Sequence, residues 1–183
     1  MERSKFIRNV AGLGLVPLIG LKACGTNQEQ DIDKLKSEMV NAWERSETMT
    51  LTSMEQMPPE SYEFKYTKEA MTFTEQWRHC VKFTCGQLAG CTRLQNPYKD
   101  VDLPVQMPKN DIISEIKNMY AFVRKSIMDM SAEELMADCD FAGDVIPVWR
   151  LFYALENHII HHRGQCVVYL RLSGVIPKGY YGW

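Results

Sequence analysis

"ENHIIHHRGQ", residues 156–165, places three of the chain's four histidines within five positions. A helix turns once every 3.6 residues, so positions four apart stack on one face. His158 and His162 have that spacing. Their stripe runs back through Leu151, Ala154 and Leu155 and forward through Gln165 and Tyr169. It is largely apolar, so it reads as the inward face of a helix carrying two imidazoles into the interior. Two adjacent buried rings without partners are costly. A metal ion removes that cost by taking one lone pair from each ring, and histidines at i and i+4 on a helix are a recurrent ligand spacing. From spacing alone, a packed pair and a ligand pair are equally good readings. His161 could take the place of His162, but a solvent-facing position or one behind the ligands is expected. Arg163 is expected to point away, toward surface acids or a dimer contact. Gly164 costs roughly 1 kcal/mol against alanine in a helix, so it reads as a place where a neighbouring helix packs closely.

Outward from this segment, four long helical stretches can be traced. The first spans about Asp31 to Met54, with Leu35, Met39, Trp43 and Met49 near helical spacing. Pro58 and Pro59 end it, because proline lacks the amide donor and clashes with the preceding turn. "ESYEFKYTKEA", residues 60–70, is an irregular connection. The second helix runs from near Thr72 to about Leu94, with Trp77, Val81 and Leu88 on its apolar face. "QNPYKDVDLPVQMPKND", residues 95–111, has three prolines and reads as a loop. The third helix follows Asn110 as its N-cap and reaches about Met130, with Ile112, Ile116, Met119, Tyr120 and Val123 inward. "SAEE", residues 131–134, is a capping-box pattern opening a short extra turn. The fourth helix begins near Asp144 or Pro147 and ends at Leu172, with Gly174 as its stop. No alternating run suggests a strand. The expected class is all-α, a four-helix bundle.

Composition sets outer limits. The chain has 183 residues, 45% hydrophobic and 24% charged, which suits one globular domain with a sizeable core. A net charge of −2 gives no electrostatic case for nucleic-acid binding, which needs a basic face. The N-terminus is of a different kind. Arg3, Lys5 and Arg8 precede an uncharged stretch from Asn9 to Leu21, too short to span a bilayer but suited to a signal-peptide core. Cys24 after "LKA" resembles the acylation site of a bacterial lipoprotein. The expected organisation is a signal peptide over residues 1–23, a tether over 24–30, a bundle over 31–177 and a tail over 178–183. Cleavage before Cys24 would leave an acidic domain of net charge −5. It would be exported to the cell envelope and held at a membrane only by a lipid on that cysteine. The other five cysteines, Cys80, Cys85, Cys91, Cys139 and Cys166, show no C-x-x-C spacing and read as buried free thiols.

Two ligands from one helix need a third from elsewhere, and His79 is the only histidine outside the cluster. It sits mid-way along the second helix, where Glu75 and Phe83 share its face. Taken by itself it reads as a half-buried histidine; taken with the pair it completes a three-imidazole site with an open position.

Two separated segments carry a family resemblance. "HHRGQCVVYLRLSGVIP", residues 161–177, and "MPPESYEFKYTKEAMTFTEQWRHC", residues 57–80, resemble the end and the second-helix entry of DinB-like proteins, in the same order. The likeness spans about residues 31–177. It implies a bundle of up-down-down-up topology holding a divalent metal ion on His79, His158 and His162, with Glu75 at a commonly acidic position and a weak candidate for proton transfer. Members often form dimers, so a homodimer is expected. The resemblance also implies a metal-dependent hydrolase acting on an unidentified small molecule, with a thiol-dependent S-transferase as the alternative. Three imidazoles suit Zn, Ni, Fe or Cu. The competing class is an envelope lipoprotein that binds metal without catalysis.

Overall fold

The structure is a computed structural model that describes residues 22–179. The expected signal peptide and the end of the tail therefore lie almost wholly outside the described residues. Cys24 lies within the first helix, but its side chain is outside the description. Helix α1 spans Lys22–Gln56, α2 Phe73–Cys91, α3 Lys109–Asp129, α4 Ala132–Met136 and α5 Val148–Leu172. Between α4 and α5 an antiparallel hairpin pairs β1, Asp138–Phe141, with β2, Asp144–Pro147.

Four long helices make the core. α1 lies against α3 and α5, and α2 lies against the same two. Each contributes one buried stripe at helical spacing. In α1 the stripe is Met39, Trp43, Ser46, Thr50 and Met54; in α2 it includes Phe73, Trp77, Cys80, Val81 and Leu88. Trp43 meets Tyr120 of α3 edge to face, and Phe73 meets Trp77 in the same way.

The helix ends show why the boundaries fall where they do. α1 stops at Gln56, ahead of Pro58 and Pro59, which open a short 3-10 turn at Pro59–Ser61. Lys109 Nζ donates to the carbonyls of Glu55 at 2.7 Å and Met57 at 2.9 Å, satisfying acceptors at the end of α1. α2 opens on a full capping box: Glu75 N–H donates to Thr72 Oγ1 and Thr72 N–H donates to Glu75 Oε2. Ser131 and Glu134 repeat that device at α4. α5 closes in a Schellman motif, with Gly174 at φ 77°, its N–H on Arg171 O and Val175 N–H on Leu170 O.

Five expectations are corrected. α1 begins at Lys22, so residues 24–30 are helical rather than a loose tether. Pro108 caps α3 and Asn110 lies inside the first turn, because proline suits the start of a helix where its missing amide is not needed. The hairpin replaces the strand-free reading. Its strands have four residues each, too few for an alternation to stand out, and its two-residue turn places Ala142 at φ 55° and Gly143 at φ 91°. Arg163 does not point outward. It is 9% exposed, and its Nη1 donates to Ser46 O and Oγ, both at 3.3 Å, and to Thr50 Oγ1 at 3.4 Å. Tyr120 OH meets the same two hydroxyls. Burial raises the pKa of Glu156, and Arg163 and Ser46 lie close enough to offset part of that rise.

The fifth correction concerns Gly164. A Cβ built there meets nothing within 4 Å, so no neighbouring helix requires the glycine. Gly164→Ala should therefore stabilise the fold by about 0.5–1 kcal/mol through helix propensity. In thermal melts this would appear as a rise of roughly 1–4 °C; a drop would show that the position is crowded.

Candidate metal centre

The packing of α2 against α5 brings the expected histidines together. His79 Nε2 lies 3.1 Å from His158 Nε2, and His158 Nε2 lies 3.2 Å from His162 Nε2. All three offer a ring nitrogen within 4.8 Å of the others, and no fourth His, Cys, Asp or Glu joins the group among the described residues. Those two separations are close to the edge of a tetrahedron around a cation with metal–nitrogen distances near 2.0–2.1 Å, about 3.3 Å. His162 is buried; His79 and His158 are half-buried.

The rings are held from behind. His162 Nδ1–H donates to Gln76 Oε1, which fixes that proton and leaves the Nε2 lone pair facing the cluster. Gln76 Nε2 donates to Gln165 Oε1 at 3.0 Å, and Gln165 Nε2 donates to the exposed His161 at 2.7 Å. Tyr169 OH, which donates to Met71 O, also hydrogen-bonds Gln76. Phe83 stacks on His158 with ring centroids 4.0 Å apart. His158 Nδ1 is buried without a hydrogen-bond partner. His161 thus stands behind the cluster and at its exposed edge. Gln76 was not singled out from the sequence, since a glutamine one turn into an amphipathic helix has no spacing signal; only its contact across to α5 reveals it.

Glu75 sits in the capping box of α2, its carboxylate occupied by the Thr72 N–H at 2.7 Å. A cavity of about 610 Å³ lies elsewhere, beside Cys91, Arg93, Met130 and Glu134, and none of the three histidines lines it.

Electrostatics favours neutral rings. Burial lowers the pKa of His79 below its usual 6.5. Burial, then the neighbouring imidazoles, lowers His158 and His162 to about 4. Three neutral rings aimed at one point suit a cation and disfavour protons.

The fold and the cluster together define a mostly helical protein with a three-histidine group able to hold a metal ion. The chain belongs to the DinB family, whose model matches residues 27–183. Among solved structures it is similar to a DinB-like protein from Bacillus subtilis, at 17% identity and TM-score 0.63 over 79% of this chain and 97% of that one. It is also similar to a DinB-like protein from Bacillus cereus, at 20% identity and TM-score 0.63 over 78% of this chain and 95% of that one. These likenesses show the fold. No curated protein matches the chain.

The depressed imidazole pKa values make a prediction for metal-free protein. Unfolded chain takes up protons near pH 6.5, whereas the folded rings stay neutral to about pH 4. Stability is therefore full above about 6.5 and declines as pH falls toward 4. Urea melts across that range should show the decline, and it should be shallower in His158→Gln. An equally steep decline in that variant would refute the burial of these rings.

Proposed function

We propose that the chain binds one divalent metal ion through His79, His158 and His162 and acts as a metal-dependent hydrolase. The convergence of three ring nitrogens, two of them 3.1 and 3.2 Å from the third, carries this reading. A structural site is normally closed by four protein ligands, whereas three leave a position open to water or substrate. When bound, the ion supplies Lewis acidity for activating water and polarising a substrate. The chain's own residues prepare that chemistry. Gln76 holds the His162 tautomer, Gln165 and Tyr169 hold Gln76, and Phe83 fixes the plane of His158. Glu75 reaches a substrate only by leaving its cap, so the proton role considered for it is a minor part of this proposal.

The proposal includes the up-down-down-up running order for the four long helices. Lys36 of α1 meets the end of α3 and Lys109 meets the end of α1, as antiparallel neighbours do. Gln76 early in α2 meets Gln165 late in α5, again antiparallel, while Ser46 meets Arg163 and Gln56 meets Ile176, so α1 and α5 run together. It also includes export as a lipoprotein acylated at Cys24, supported by the basic and uncharged N-terminal pattern. Among the described residues no helix is long and apolar enough to cross a membrane. Export disfavours the S-transferase alternative, which needs a thiol cofactor of the cytosol. A homodimer and a small-molecule substrate complete the reading.

Elemental analysis of purified protein should find about one metal ion per chain. A hydrolase substrate screen run with and without chelator should show activity only with metal. His79→Ala should lose both; retention of both would remove the assignment. Gln76→Leu should keep all three ligands yet bind metal about 10–100-fold more weakly in chelator competition, and unchanged affinity would show that the glutamine does not orient His162.

A further inference from the structure

Two thiols at the far end of α2 form a pair that the metal centre does not use. Cys91 is the last residue of α2 and is half-buried; Cys139 is the second residue of β1 and is 8% exposed. Their 48-residue separation in sequence is closed by the packing of α2 on β1. Cys91 Sγ donates to Asp140 O at 3.4 Å, the carbonyl next along from Cys139, which brings the two thiols to the same end of α2. The other described thiols differ. Cys80, Cys85 and Cys166 are fully buried in the core. Cys91 also lines the 610 Å³ cavity, beside Arg93, Leu94 and Glu134, so a small reagent can reach it.

We propose that Cys91 and Cys139 are a redox-active pair that a low-molecular-weight disulfide converts into an intramolecular disulfide. Cys91 reacts first, as its thiolate. It attacks one sulfur of the reagent; the reagent's S–S bond breaks, one small thiolate leaves, and that thiolate takes a proton from water. Cys139 then gives its proton to solvent and attacks the Cys91 sulfur, expelling the second small thiolate. Two protein thiols are oxidised and one reagent disulfide is reduced to two thiols. The order follows from exposure, since Cys91 is half-buried and lines the cavity while Cys139 is 8% exposed; burial first, then the neighbouring Cys91 thiol and the Asp140 and Asp138 carboxylates, hold the Cys139 thiol up to about 11. The bridge would tie the hairpin to the end of α2 and close one wall of the cavity. This inference is independent of the metal reading, since neither cysteine contacts the imidazoles or the glutamines that hold them.

The test treats the full chain with oxidised glutathione in a Cys24→Ser background, followed by non-reducing peptide mass mapping. The expected product is a Cys91–Cys139 cross-linked peptide, with Cys80, Cys85 and Cys166 still reduced. Because the bridge closes a loop of about 50 residues, the oxidised protein should melt roughly 5–10 °C higher. Cys139→Ser should stop at a glutathione adduct on Cys91, and the half-exposed Cys91→Ser should leave Cys139 unmodified. A persistent adduct on Cys91 with Cys139 free in the parent chain, an unreactive Cys91, or a bridge to any other cysteine would overturn the proposal.

Discussion

The seam between α2 and α5 is the constraint on which the rest of this structure rests. Along it three neutral imidazoles face one another, an arrangement that water would disrupt and that burial alone penalises. The seam holds because its flanks are well packed. Phe73, Trp77, Val81 and Leu88 of α2 are fully buried, as are Leu155, Ile159, Cys166 and Tyr169 of α5. The polar groups between these flanks are satisfied in sequence, from Tyr169 through Gln76 and Gln165 to His161. His158 Nδ1 is left over, as are Trp77 Nε1 and Thr84 Oγ1 on the buried side of α2. Folding of this seam and assembly of a three-nitrogen site are one event, so a cation bound there would stabilise the native state by mass action.

α5 divides its work by face. His158 and His162 are turned to α2, while Arg163, one residue and about 100° further on, is turned to α1. A buried guanidinium is tolerated only with partners. α1 supplies Ser46 and Thr50 from the middle of its inward stripe, and α5 itself supplies Glu156 two turns earlier. Tyr120 brings α3 into the same network. The two polar clusters therefore lie on different faces of one helix, each surrounded by apolar packing, and together they fix its rotation about its own axis. A rotation large enough to release one would leave buried charges or imidazoles unpaired.

Most of this was legible in the sequence where a rule has one physical cause. Prolines marked the end of α1 and the loop before α3, and the Ser131–Glu134 box marked α4, because missing amides and reciprocal caps act locally. The convergence of His79 on the pair was legible through spacing and resemblance together. What escaped was decided across space. The partner of Gln76 is 86 residues away in sequence, at His162. Arg163 reads as a surface residue until Ser46 and Thr50 are known to face it. Gly164 invites a packing explanation that only the open space around it removes. The hairpin was missed because its strands are short and carry Asp138, Asp140 and Asp144, residues that favour turns.

The same helix that carries His79 ends at Cys91, and the spacing between them has a consequence. Twelve residues of helix span about 18 Å at 1.5 Å per residue. Thiol and imidazole chemistries are thus held too far apart to share a reacting atom, yet on one rigid element. The imidazole end is half-buried and braced by side chains from α5, which suits a fixed geometry for a cation. The thiol end is open to a cavity and braced only by a four-residue strand, which suits a group that reacts and moves. Oxidation at one end would reach the other only by shifting α2 as a body. The packed flanks of the α2–α5 seam resist such a shift, so the proposed metal site and the proposed thiol pair would act on α2 independently.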